Sequence, residues 1–264
     1  EWPNVQADMA IGANIDQAIE MKKQKMLISY KSKAWESIPA EFKDKDGYYY
    51  CDSMWTIMPV VNTKLLQQKK LPMPTSWYDL LDPRWKGEIA MPDPMTSSSA
   101  YLTVLGLVQL MGEDKAFEYL DKLHKNVAQY TKSGGAPALL VSQGEVAFGI
   151  TDSTSAYARI KEGYPIATAV PKEGVAYSMA ANGIFVSTKN EQRLADSKKV
   201  LDYIATEQYQ SLIGKYRPKV TNPAAPGLEK EFGKITLLSN YDQEWVIANR
   251  VRIQNKWKDR YMNK

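Results

Sequence analysis

The chain has 264 residues, 44% of them hydrophobic and 24% charged, with 34 Lys and Arg against 30 Asp and Glu. That length and apolar share suffice for one large domain or two ordinary ones. The charges are scattered and nearly balanced, which excludes the clustered basic footprint of a nucleic-acid binder. One cysteine, Cys51, and one histidine, His124, exclude an intrachain disulfide and argue against a zinc site. No run approaches the roughly 18 apolar residues of a membrane span.

Residues 5–13 read as a short buried strand ending in a glycine turn, and 14–26 as a helix with Ile15, Ala18, Ile19 and Met26 on one side. Residues 29–47 are a polar connection. Tyr48, Tyr49 and Tyr50, then 53–56, then the apolar run 57–61 form a β-rich segment through Asn62-Thr63-Lys64, in which Trp55 is a candidate ligand-facing wall. Lys69, Lys70, Pro72 and Pro74 mark a loop. Ser76 with Asp79 is a capping pattern for a short helix over 77–82.

A short apolar strand, 88–91, leads through the Asp93-Pro94 turn into Thr96, Ser97, Ser98 and Ser99. Apolar residues at 102, 105, 108 and 110 then follow helical spacing. A helix starting here leaves its first N–H groups without intrahelical partners and sets the positive end of its dipole among the hydroxyls, an arrangement suited to an anion. Plain N-capping is the alternative. After an amphipathic helix over 113–125, the stretch 130–137 holds Ser133, Gly134 and Gly135 before a helical run at 137–143. Two glycines permit close backbone approach to a ligand, and Ser133 has the chemistry of a cap. No Walker-type ending follows, so nucleotide hydrolysis is not expected.

Strand 145–150 ends in Thr151, Asp152, Ser153, Thr154 and Ser155, with a helix over about 155–162. Strand, polar turn and helix recur here, at 97–99 and at 133. In open α/β sheets ligands bind beyond the carboxyl ends of strands, so the repetition points to a polar small-molecule cleft. Strands at 165–170, 175–181 and 183–187 precede a helix over 191–209 capped by Asn190; 214–234 are irregular. A last helix over about 242–261 offers Val246, Val251, Ile253 and Trp257 to a core. No Gly-x-Ser-x-Gly, His-Glu-x-x-His or Gly-x-Gly-x-x-Gly motif appears. Cys51 beside Asp52 is disfavoured as a thiolate. The positive evidence is for binding groups rather than a nucleophile with a base.

The motif order Asp82-Pro83-Arg84-Trp85-Lys86-Gly87, Ile89 to Pro94, Ser97 to Tyr101, Thr131 to Pro137, Gly144 to Thr151 and Tyr241-Asp242 through Asn249-Arg250 resembles the periplasmic solute-binding components of bacterial ABC importers. The nearest branch includes ferric-ion, phosphonate and sugar-phosphate binders. The resemblance implies an α/β, two-lobed fold of the type II periplasmic-binding-protein class, with hinge strands crossing near 55–58 and 179–183. Residues 1–56 plus 183–264 would build one lobe, and 57–182 the other, the C-terminal helix being free to pack on the second. Family members normally begin with a further strand–helix–strand that this sequence lacks.

The implied function is capture of a small anionic solute between the lobes, without catalysis or cofactor, and delivery to an inner-membrane permease. A monomer in the periplasm or extracellular space is expected, lipid-anchored in a longer form or not. Ser97, Ser98, Ser99, Ser133 and Gly134 would take the anionic group; Asp152, Ser153 and Thr154 would read the rest of the molecule, with Trp55 as a wall. The alternatives are a ferric or iron–anion carrier of the same fold and a hydrolase or transferase. Ferric members place adjacent tyrosines where this chain has Asp152-Ser153-Thr154, a poor substitute for paired phenolates around a hard cation.

Overall fold

In the computed structural model the described residues are 6–229 and 235–262, so the part of the irregular stretch at 230–234 and the first residue of the strand expected at 5–13 lie outside them. The chain forms two compact units, Glu1–Trp55 with Ser178–Lys234 and Thr56–Tyr177 with Ile235–Lys264. Among the described residues, no helix is long and apolar enough to cross a membrane.

In the first unit, β1 (Met9–Asn14) and β2 (Leu27–Ile28) pair antiparallel with β8 (Tyr177–Phe185), and β9 (Lys219–Val220) pairs with the first half of β3 (Tyr50–Asn62). The helix α1 (Ile15–Lys23) follows β1 directly. β1 is half-buried to exposed rather than buried, and its register slips between Ala10 and Ala13. The connection at 29–47 is less polar than its composition suggests: Trp35, Ile38 and Phe42 are all buried within it.

The helix expected at 191–209 is two, α7 (Glu191–Ile204) and α8 (Glu207–Ile213). The break falls at Thr206, whose hydroxyl accepts from the Tyr209 N–H and starts a new helix. Gln210 is fully buried, and its carboxamide oxygen accepts from the backbone N–H groups of Thr221 (2.9 Å) and Asn222 (2.6 Å). One side chain thereby supplies acceptors just beyond β9, beside the Asp52 carbonyl of β3, which also accepts from the Thr221 N–H (3.0 Å).

The second unit is built on a sheet ordered β7 (Ile166–Thr168), β3, β6 (Phe148–Asp152), β4 (Ile89–Pro92) and β5 (Val127–Thr131). β6, β4 and β5 are mutually parallel, and β4 and β6 are buried along nearly their whole length, as strands covered on both faces must be. The covering helices are α3 (Ser98–Met111), α4 (Glu113–His124), α5 (Ala136–Gln143) and α6 (Ser153–Lys161). α5 lies close on β6 because position 149 is glycine: a Cβ there would stand 2.9 Å from Val141 Cγ2 and 3.0 Å from the Pro137 carbonyl oxygen. β6 begins three residues later than its apolar run suggests, after Gly144 ends α5 in the left-handed region at φ 77°. A short helix not evident from the sequence, α2 (Thr63–Lys69), follows β3, with Asn62 as its cap.

The final helix, α9 (Gln243–Tyr261), clusters with this second unit. Val246, Ile253 and Trp257 are buried along one stripe, and Trp257 meets Tyr130 edge-on at 5.5 Å between ring centroids. Arg252 and Lys256 both pair with Glu113 at 2.7 Å. Val251, expected in the core, is 68% exposed because it falls off that stripe.

Candidate functional site

The parallel strands β4, β5 and β6 end along one edge, at Pro92, Thr131 and Asp152. Just beyond that edge three helices begin: α3, α5 and α6. Each start carries the positive end of a helix dipole, so their convergence favours negative charge there.

Asp93 shapes the approach to α3. Its N–H donates to the Thr131 carbonyl (2.8 Å), its carboxylate accepts from the Met95 N–H (2.9 Å), and its carbonyl accepts from the N–H groups of Thr96 and Ser97, each at 3.0 Å. The Thr96 hydroxyl donates to the Lys132 carbonyl (2.9 Å) and ties this turn to the loop between β5 and α5. Ser97 then holds the N-cap position, yet its side chain makes no capping hydrogen bond. Its hydroxyl instead lies 2.9 Å from that of Ser99.

That pair has a simple arithmetic. Two hydroxyls carry two donor hydrogens, and one bond between them uses one. Ser97 is 9% exposed and Ser99 4%, and neither hydroxyl has another acceptor among the described residues. One O–H hydrogen is therefore available to a hydrogen-bond acceptor entering the site. Ser98, between them, is half-buried at the first helical position.

The α5 start stands against this pair. A Cβ on Gly134 would come within 2.2 Å of Ser99 Oγ and 3.0 Å of Ser97 Oγ, so only glycine lets the backbone approach the serines this closely. The Gly134 carbonyl is held by the fully buried Thr151 hydroxyl, which donates to it at 2.8 Å. The cap of α5 is Gly135, which offers no side-chain acceptor, and not Ser133. Ser133 is exposed, and its carbonyl accepts from the Thr131 hydroxyl (3.0 Å). Thus α3 and α5 begin side by side without side-chain caps.

α6 begins differently. Asp152 is its cap: one carboxylate oxygen accepts from the Ser155 N–H (2.9 Å) and the other from the Ser155 hydroxyl (2.8 Å). Ser153 is fully buried, and its hydroxyl accepts from the Thr56 N–H at 3.1 Å, which ties α6 to β3. Thr154 is half-buried in the first turn. Trp55, the other expected binding residue, lies in the first unit and is half-buried on β3.

Ser97, Ser98, Ser99 and Gly134 are thus brought together. Thr151 and Asp93 belong to the same constellation although the sequence presents them only as a strand end and a turn residue. The Thr-Asp-Ser ending of β6 was the available signal for Thr151. Elsewhere, burial and the neighbouring Asp52 push the Cys51 thiol well above its usual range, which suits a packing residue and not a nucleophile.

Comparison with known proteins agrees with this architecture. The model of the bacterial extracellular solute-binding protein family matches residues 6–244. An uncharacterised protein of Haemophilus influenzae is 31% identical over 97% of this chain and 77% of its own length. A putative 2-aminoethylphosphonate-binding periplasmic protein of Salmonella typhi is 23% identical over 81% of this chain, which spans 62% of that relative. Among solved structures, the periplasmic binding protein AfuA of Actinobacillus pleuropneumoniae, with fructose-6-phosphate bound, is 31% identical. It superposes with a TM-score of 0.84 over 99% of this chain and 84% of its own. The chain has the type II periplasmic-binding-protein fold and belongs to the bacterial extracellular solute-binding proteins, the substrate-capturing components of ABC importers.

Proposed function

We propose that this protein captures a small anionic solute through a phosphoryl or phosphonyl group seated at the starts of α3 and α5, and delivers it to an inner-membrane ABC permease. The observation that carries the reading is the buried Ser97–Ser99 pair, with one donor hydrogen lacking an acceptor, placed against Gly134 where two helices begin without side-chain caps. A tetrahedral oxyanion brings several acceptor oxygens to such a place. Ser98 and Ser133 flank the group, while Asp152 and Thr154 read the remainder of the solute; the Ser153 hydroxyl is taken up by β3. The protein acts as a monomeric receptor outside the cytoplasmic membrane, and its role is binding without turnover.

Two relatives lend chemical support: the AfuA structure holds a sugar phosphate, and the Salmonella relative is named for a phosphonate. An iron carrier is disfavoured by the donor set. Hydroxyls and N–H groups donate hydrogen bonds, whereas Fe(III) requires several anionic oxygen ligands. The test is native mass spectrometry of the protein as purified, followed by denaturation and identification of what is released. One phosphorylated or phosphonate molecule per chain is the expected result. Release of iron would overturn the reading in favour of the carrier, and loss of no affinity on substituting Ser97 and Ser99 by valine would overturn the site.

A further inference from the structure

We infer that Asp52 and Asn182 form a latch on β1 that is worked by a proton. With Asp52 ionised, the Asn182 carboxamide is fixed so that it holds the Gly12 N–H; protonation of Asp52 frees it. All of these groups belong to the first unit, so the latch does not depend on the anion site proposed above.

β1 has an irregularity that needs a holder. It pairs with β8 as Met9–Ile184 and Ala10–Gly183, slips, and resumes at Ala13–Ala181. Ile11 and Gly12 fall in the slip, outside the regular ladder. Ile11 is exposed, and Gly12 takes φ 68°, in the left-handed region that favours glycine. The Gly12 N–H donates to Asn182 Oδ1 at 3.0 Å. Asn182 is fully buried on β8, so one side chain fastens the bulge across 170 residues of chain. Asn14, two residues beyond Gly12, is the N-cap of α1, so the bulge also governs where that helix starts.

A carboxamide has an accepting end and a donating end, and its other neighbours decide which end meets Gly12. Asp52 is buried on β3, where its carboxylate accepts from the Ser53 hydroxyl (2.7 Å) and from the Asn182 side chain. An ionised carboxylate only accepts, so it draws the Asn182 NH2 group to itself and leaves Oδ1 for Gly12. The other acceptors of that NH2 group, the carbonyls of Tyr50 and Ala180, stand at 3.5 Å, the limit of a hydrogen bond, and orient it weakly. A protonated carboxyl has a hydrogen to donate. Oδ1 is its acceptor once the carboxamide turns over, and the NH2 group then confronts the Gly12 N–H, donor against donor. The bond that holds the bulge is lost.

Asp52 is the group that titrates here. Burial raises its carboxyl above the usual aspartate range, opposed by hydrogen bonds from Ser53 and Asn182 and by the positive charge of Arg217. The other ionisable groups that feel this carboxylate are Tyr50 and Cys51 on β3 and Tyr209 on α8. Burial pushes each of these three upward, so they stay neutral wherever Asp52 changes state. The single histidine, His124, belongs to the second unit. Ionisation of Asp52 thus costs the fold as a whole through desolvation while it tightens β1 locally.

The test follows two signals by NMR on the whole chain without solute, from pH 3 to 9: the Gly12 amide and the Asp52 carboxyl carbon. In the wild type the Gly12 amide shift is expected to move with the midpoint of the Asp52 carbon. Its protection against hydrogen exchange, corrected for the intrinsic rate at each pH, is expected to fall about fivefold or more from the ionised to the protonated side, the effect of one lost hydrogen bond. Asp52→Asn is expected to leave the Gly12 shift and protection flat across the range. Asn182→Ala is expected to leave Gly12 unprotected at every pH while Asp52 still titrates. A Gly12 amide that stays protected and unmoved while Asp52 titrates overturns the latch. So does a Gly12 titration that persists in D52N, or an Asp52 carboxyl that keeps one state from pH 3 to 9. No solute enters the measurement, so its failure leaves the proposed anion site untouched.

Discussion

Gly134→Ala separates the proposed anion site from ordinary helix packing. Gly134 has no left-handed φ, so alanine fits its backbone without strain. The added methyl, however, would be placed 2.2 Å from Ser99 Oγ and 3.0 Å from Ser97 Oγ. Neither distance is sustainable, and Ser99 Oγ, the nearer atom and the end of a rotatable side chain, turns away. The protein then loses the Ser97–Ser99 hydrogen bond, a net cost of about 1 kcal/mol, equivalent to a fall of a few degrees in melting temperature. An anion bound at the proposed site would lose one hydrogen bond to a charged acceptor, worth about 1.5–3 kcal/mol, or roughly 10- to 150-fold in affinity. Calorimetry with fructose 6-phosphate and with the molecule recovered from the purified protein reads the second effect; a thermal melt without ligand reads the first. If G134A melted a few degrees lower yet bound both within twofold of wild type, the glycine would serve packing alone and the site would have to lie elsewhere.

Burial raises the Asp52 carboxyl above its usual value, only partly opposed by Ser53 and Asn182. A raised folded-state value means that stability is fully present below about pH 3.9, the ordinary aspartate value, and declines as pH rises toward the folded value. Asp52→Asn should flatten the melting temperature between pH 4 and 7, and an unchanged slope would refute the assignment. Trp257→Ala should cost about 3–5 kcal/mol in urea unfolding, whereas Val251→Ala should stay within about 0.5 kcal/mol; equal effects would contradict the α9 packing. Gln210→Leu strands the N–H group of Asn222 and leaves that of Thr221 with the Asp52 carbonyl alone; it should cost about 1–3 kcal/mol, with near-wild-type unfolding as the disproof.

Local chemistry in the sequence reveals much of this fold. Ser76 and Asp79 do form a reciprocal cap, Asn190 does cap a helix, and the hydroxyl run at 96–99 does open α3. These features depend on neighbours within a few residues. What escapes is decided by distant partners. Asn62 looks like the end of a strand, but its side chain accepts from the Leu65 N–H and donates to the Val141 carbonyl, and so begins α2. Nothing in the string Thr-Ser-Ser-Ser distinguishes the buried Ser97 and Ser99 from the half-buried Ser98. Their roles arise when Gly134 is brought against them across 35 residues of chain. Likewise Ser153, adjacent to Asp152, is turned toward β3 by its bond with the Thr56 N–H, a contact between residues 97 apart.

The placement of α9 bears on how the chain reaches this state. The second unit is assembled from 56–177 and 235–264, and the first from 1–55 and 178–234, so each core waits for a segment made much later. While 178–234 are being synthesised, the surface that receives Val246, Ile253 and Trp257 is open, and Tyr130 lacks its indole neighbour. Closing loops of that length is entropically slow, and folding rates fall as contacts become more distant in sequence. Complete closure of the second core thus waits for α9, and until then a strip of apolar surface stays uncovered. A chain cut before α9 would retain the hydroxyl cluster at 97–99 and yet leave its supporting wall unfinished.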